Sequence, residues 1–155
     1  MSKPEFVYVT YIATTPERLW EALTETRFTQ EYWAGRAFAS EWTAGAKVEV
    51  RKRSGELDSA QLEVLEIDRP KRLVLAWRHR APSGETPPAT RVTYDLEPAG
   101  PKNVKLTVTH ESWQPGSSVD ERVSAGWPAI LSSLKTFLET GEALDITRRW
   151  EQSGN

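Results

Sequence analysis

The chain has 155 residues, 38% of them apolar and 27% charged, which suits a single domain and leaves too little sequence for a second core. Twenty Lys plus Arg against 22 Asp plus Glu give a net charge of −2, so there is no electrostatic footprint for nucleic acid, and no apolar run approaches the ~20 residues of membrane insertion. With no cysteine and only two histidines, disulfide scaffolds, thiol nucleophiles, iron–sulfur clusters and the usual zinc spacings drop out, and no metal or cofactor is expected.

The opening MSKPEFVYVT lacks the apolar segment of a secretory signal, which predicts a cytoplasmic protein. Residues 5–13 are β-branched and aromatic, a strand with Phe6, Tyr8, Thr10 and Ile12 on one face. Thr14 and Thr15 before Pro16 and Glu17 give a helix start, and Leu19, Trp20 and Leu23 recur at helical spacing over 16–25. A second short helix is predicted over 27–34, stopped by Gly35. Alternating strands follow near 37–43, 47–53, 59–68, 72–80, 92–96 and 104–113. Asp68-Arg69-Pro70-Lys71 forms one turn among them, and the proline-rich 81–89 makes an exposed loop.

Beyond Pro115-Gly116, Trp127, Ile130, Leu131, Leu134, Phe137 and Leu138 form one wide apolar stripe that ends at Gly141. Pro128 lies inside this pattern and either kinks a long helix begun near Val119 or sits in the first turn of one restarted at Trp127; the kinked long helix is the expectation. Residues 142–155 read as a loosely held extension of the 1–155 domain, with Leu144, Ile146 and Trp150 able to dock on the core at 5–141. The order of elements is that of an α+β protein whose curved antiparallel sheet, of about seven strands, buries one face under the C-terminal helix.

Five segments in this order carry a resemblance: IATTPERLWEAL at 12–23, EYW at 31–33, VLEIDRPKRLV at 64–74, TRVTYDLEP at 90–98, and Gly126-Trp127 with its helix. Together they resemble the stand-alone prokaryotic homologues of the C-terminal domain of the activator of heat-shock protein ninety ATPase, in the START-like or SRPBCC superfamily. The resemblance covers roughly residues 5–141. It implies a helix-grip fold with an apolar cavity between sheet and C-terminal helix, and it transfers no catalytic motif.

Seven tryptophans make shape, rather than charge, the property to follow. Alternation turns Leu75, Trp77, Val92, Tyr94, Val108 and His110 toward a helix face of Trp127, Ile130, Leu131 and Leu134, with Trp33, Phe38 and Trp42 at an entrance. These residues are the expected lining of a cavity for a small, mostly apolar ligand: a lipid, a polyketide or an aromatic molecule. The protein would then be a non-catalytic carrier or sensor.

Two other readings use the same residues. A cyclase- or aromatase-like enzyme would take His110 as base and Tyr94 as polarising hydroxyl. A co-chaperone would contact a heat-shock ATPase, as the resemblance implies. Arg78, Arg80 and Arg91 flank the proline loop and suit an acidic ligand group, or else form a solvated strand face. His79 and His110, the two imidazoles, fall at the ends of apolar stripes, where edge histidines are commonly hydrogen-bonded.

Overall fold

The computed structural model describes residues 4–153; the first three residues and the last two of the expected extension lie outside it. Strand β1 (Pro4–Ile12) leads into helices α1 (Pro16–Thr24) and α2 (Thr26–Tyr32). Strands β2 (Ala37–Ala39), β3 (Lys47–Arg51), β4 (Leu57–Asp68), β5 (Arg72–His79), β6 (Thr90–Pro98) and β7 (Val104–Ser112) follow, then helices α3 (Glu121–Thr140) and α4 (Asp145–Gln152). The seven strands form one antiparallel sheet in the order β1-β7-β6-β5-β4-β3-β2, and α3 packs on its inner face. The order of elements led to this α+β arrangement of a curved antiparallel sheet under a C-terminal helix, and it is the helix-grip fold that the resemblance implied.

Local chemistry sets the boundaries. The Thr15 hydroxyl accepts from the Arg18 backbone N–H at 3.2 Å and Pro16 opens the helix, so α1 begins where the cap and proline require. At the other end of the chain Asp120 caps α3 by accepting from the Arg122 N–H at 2.7 Å, and Gly141 closes it in the left-handed conformation. Pro128 sits inside this one helix. Helix α2 ends two residues before the predicted stop: Trp33 leaves helical geometry, and Ala34 and Gly35 both take positive φ. That turn frees the Trp33 ring to point inward.

The inner face of the sheet is apolar: Val48 and Val50 on β3, Leu62 and Val64 on β4, Leu73, Leu75 and Trp77 on β5, and Val92, Tyr94 and Leu96 on β6 are all buried, while the central β5 also buries Val74 and Ala76 on its other face. Leu106, Val108 and His110 continue it on β7, and Trp127, Ile130, Leu131 and Leu134 of α3 cover it.

The segment read as a loosely held extension folds into α4 and is fixed to the body. Ser133 and Thr147 are both fully buried. The Thr147 hydroxyl donates to the Leu144 carbonyl and therefore accepts from Ser133, whose oxygen in turn accepts the Leu144 N–H, each at 3.1 Å. At the far end the Glu151 carboxylate accepts from Arg53 and lies directly on Gly35, where a Cβ would collide with it. Trp150 packs against the core as the sequence allowed, whereas Ile146 stays exposed, and periodicity misses the polar part of the anchor because it is a single Ser–Thr pair.

Ser133→Ala leaves the half-buried Leu144 N–H without an acceptor and the buried Thr147 hydroxyl without a donor, so unfolding free energy should drop by about 1–3 kcal/mol. Chemical denaturation checks this, and α4 should also lose amide protection ahead of the sheet.

Candidate functional site

The cleft that reaches the surface opens at one end of the sheet–helix contact, with a volume of about 250 Å3. Its floor is Trp77, Thr90 and His110, its rim is His79 and Arg78, and its walls are Pro87 and Pro88 of the proline loop and Val119, Asp120 and Val123 at the start of α3. Gly116, Ser117 and Ser118 close the last side. A broader groove of about 1120 Å3 crosses the outer face of β3, β4 and β5, but Lys47, Glu49, Glu63, Arg78 and Arg80 line it with mixed charge, which does not suit an apolar guest.

Behind the cleft lies a cluster of rings centred on Trp127. Trp33 meets it edge-on with centroids 5.3 Å apart, Trp77 at 5.9 Å, His110 at 6.0 Å and Tyr94 at 6.2 Å. Phe6 stacks on it at 6.3 Å. Trp33 also stacks on Trp77 at 5.8 Å and tilts against Phe38 at 5.0 Å. All these spacings lie in the favourable range for aromatic pairs, each worth about 0.5–1.5 kcal/mol beyond area burial.

Of the residues expected to line a cavity, Trp77 and His110 face the cleft. The rings of Trp33, Phe38, Tyr94 and Trp127 pack on one another behind it, and Leu75, Val92, Val108, Ile130, Leu131 and Leu134 sit in the core around them. Trp42, at positive φ, is partly buried against that core. The sequence reading did not place Phe6 against Trp127, because a strand's alternation does not say which helix residue it meets. Nor did it place Val119 and Val123 on the cleft wall.

Each histidine has a definite partner. The Trp127 indole N–H donates to His110 Nδ1 at 3.1 Å, and the Trp77 indole N–H donates to His79 Nε2 at 3.3 Å. An indole N–H taken out of water needs an acceptor, and this chain supplies an imidazole to each. His110 Nε2 lies 2.8 Å from the Thr90 hydroxyl, whose own proton goes to the Trp77 carbonyl at 2.9 Å. Thr90 can therefore only accept from His110, which fixes the imidazole as the neutral Nε2–H tautomer.

Burial, with a smaller contribution from His79, pushes the His110 pKa down to about 4. A proton on Nδ1 would face the Trp127 N–H. A base role for His110 therefore requires the Trp127 bond to break first. Burial also raises the Tyr94 hydroxyl above its ordinary value, so it stays a neutral phenol. His79 is lowered by burial against the opposing pull of Asp58 and Asp120, and its Nδ1 meets the Ser59 hydroxyl at 3.2 Å.

The arginines that flank the proline loop go to separate tasks. Arg91 donates to Glu111 on the outer face of the sheet, turned away from His110 as alternation requires. Arg78 reaches Gln114 at 3.4 Å from the cleft rim. Among the described residues no cluster of His, Cys, Asp or Glu is arranged to hold a metal ion, and no helix is long and apolar enough to cross a membrane.

The sequence model of the Activator of Hsp90 ATPase homolog 1-like protein family matches residues 13–139. Among curated protein sequences none matches the chain. Several solved structures share the fold. An HSP90 activator from Plasmodium falciparum is 23% identical over 88% of this chain and 97% of its own, with a TM-score of 0.70. CalU16 from Micromonospora echinospora is 17% identical over 95% and 81%, with a TM-score of 0.68. DynU16, from the dynemicin biosynthetic locus, is 25% identical over 89% of this chain and 48% of its own, with a TM-score of 0.69. The chain thus spans about half of DynU16.

The neutral His110 makes stability pH-dependent. Between its native pKa near 4 and the ordinary histidine value of about 6.5, only the unfolded chain takes up the proton. Stability from this group is therefore complete above pH ~6.5 and is lost as pH falls toward 4, by up to roughly 3 kcal/mol. An NMR titration of the imidazole should give a midpoint near 4; a midpoint at the ordinary histidine value would show that the Trp127 bond is absent in solution.

Proposed function

The chain belongs to the Activator of Hsp90 ATPase homolog 1-like protein family, and we propose that it binds, without turning it over, a small and mostly apolar ligand in the cleft beside Trp77 and His110. The observation that supports this reading is the cleft itself: about 250 Å3, open to solvent and floored by an indole and an imidazole whose polar atoms are already hydrogen-bonded within the protein. A floor with its hydrogen bonds satisfied offers ring faces rather than charge. The volume is slightly below that of drug-sized sites, which favours an aromatic or polyketide-derived molecule of two or three fused rings, or one end of a lipid. The engaged Nδ1 of His110 argues for binding over acid–base turnover.

The second reading is contact with a heat-shock ATPase, which the family's name and the Plasmodium falciparum neighbour favour. It predicts capture of the purified chaperone by the immobilised chain and a change in its ATPase rate. The absence of both leaves the small-molecule reading standing alone.

A panel of flavonoids, aromatic polyketides and fatty acids should contain members that quench tryptophan emission and stabilise the fold by ~2.7 kcal/mol at 100 times their dissociation constant. Val123→Phe, which fills the wall of the cleft, should weaken that binding at least about tenfold while leaving the unliganded unfolding midpoint close to wild type. A ligand bound equally well by Val123→Phe sits elsewhere.

A further inference from the structure

The sheet is open, and its two edges differ. β2 is three residues long, whereas β1 runs nine residues and pairs only with β7. Edge strands are normally blunted with charge, proline or bulges. Here the bulge and Pro4 protect only the first end of β1, and Phe6 to Ile12 (FVYVTYI) contains no charge, proline or glycine.

Three large side chains alternate on the outer face of this stretch: Val7 is 55% exposed, Val9 49% and Tyr11 55%. The same parity carries the free backbone groups. The Tyr11 carbonyl points away from β7 and accepts from the Lys135 ammonium at 2.7 Å, and the Ala13 N–H on that side donates to Glu139 at 2.8 Å. Odd-numbered residues therefore turn their N–H and C=O groups to the open edge, so Val7 and Val9 present donor and acceptor pairs there.

We propose that this edge is an isologous interface, where β1 of a second copy of the chain pairs antiparallel with β1 about a two-fold axis at Val9 and joins two sheets into one of fourteen strands. Val9 then exchanges both backbone hydrogen bonds with Val9 of the partner subunit. Val7 and Tyr11 pair with the partner's Tyr11 and Val7, so every open group from 7 to 11 is satisfied. The occupant is a second copy because the strand is its own complement. The register sets Val against Val and Val against Tyr on the outer face, pairs that stabilise sheets, and brings no like charges together. Lys135 gives up the Tyr11 carbonyl to the partner's Val7 N–H and keeps its 2.7 Å ion pair with Glu139.

Sedimentation velocity on the full chain should show a concentration-dependent dimer. Val9→Lys, and separately Val9→Glu, place like charges across the axis and should each weaken association on the order of 100-fold, with the unfolding midpoint unchanged when measured at dilutions where the wild type is also monomeric. Mixing the two variants should restore the dimer. Because the chain has no cysteine, Val9→Cys offers a second measurement that does not depend on those variants folding. Paired Cα atoms ~5.5 Å apart across the axis should cross-link rapidly on oxidation, whereas Val7→Cys, facing the partner's Tyr11, should not. A wild-type chain that stays monomeric at high-micromolar concentration, a dimer that survives Val9→Lys, or equal cross-linking at positions 7 and 9 would each overturn the pairing.

Discussion

The hydrogen bond from the Trp127 indole to His110 ties the long helix to the sheet, and much else depends on it. Trp127 is the largest side chain on the buried face of α3, and burying its N–H without an acceptor would cost about as much as a whole hydrogen bond is worth. His110 accepts it from β7 and passes its own proton to Thr90 on β6, which donates onward to the β5 backbone. One chain of hydrogen bonds thus runs from the helix across three strands. Its directionality holds the imidazole neutral, and that neutrality keeps the cleft floor free of charge near physiological pH.

The tryptophan content follows the same logic. Trp33, Trp77 and Trp127 contact one another, so three indoles from α2's end, the sheet and α3 meet at one point of the fold. Rings of this size set the distance between helix and sheet, and smaller side chains such as Val92 and Val108 fill in around them. The cleft lies where this packing ends, against the proline loop and the first turn of α3. Cleft floor and core are two sides of the same rings.

Much of the architecture was legible in the sequence because it rests on local signals: period-2 alternation in the strands, Thr15-Pro16 and Gly141 at helix ends, and the stripe from Trp127 to Leu138. What was not legible depends on contacts between distant residues. Trp33 reads as the last turn of a helix, yet it leaves the helix because a neighbouring left-handed pair turns its ring inward. The tail reads as loose because, besides the docked ring of Trp150, its anchor is a buried Ser–Thr pair rather than an apolar stripe. The two histidines are visible as the ends of apolar stripes, but only the three-dimensional structure assigns each to an indole.

Pro128 sits one residue past Trp127, in the helix that walls the cleft. Proline has no N–H to give the carbonyl one turn back, so α3 has a weak joint there, with the Asp120-capped turn on one side and the sheet-bound stripe on the other. Trp127, next to that joint and on the same side of it as the cleft wall, is held by its hydrogen bond to His110 and by the rings of Trp33 and Trp77. The tertiary contacts of one indole therefore make up for the backbone bond that the next residue cannot give, and the position of the cleft wall rests on them.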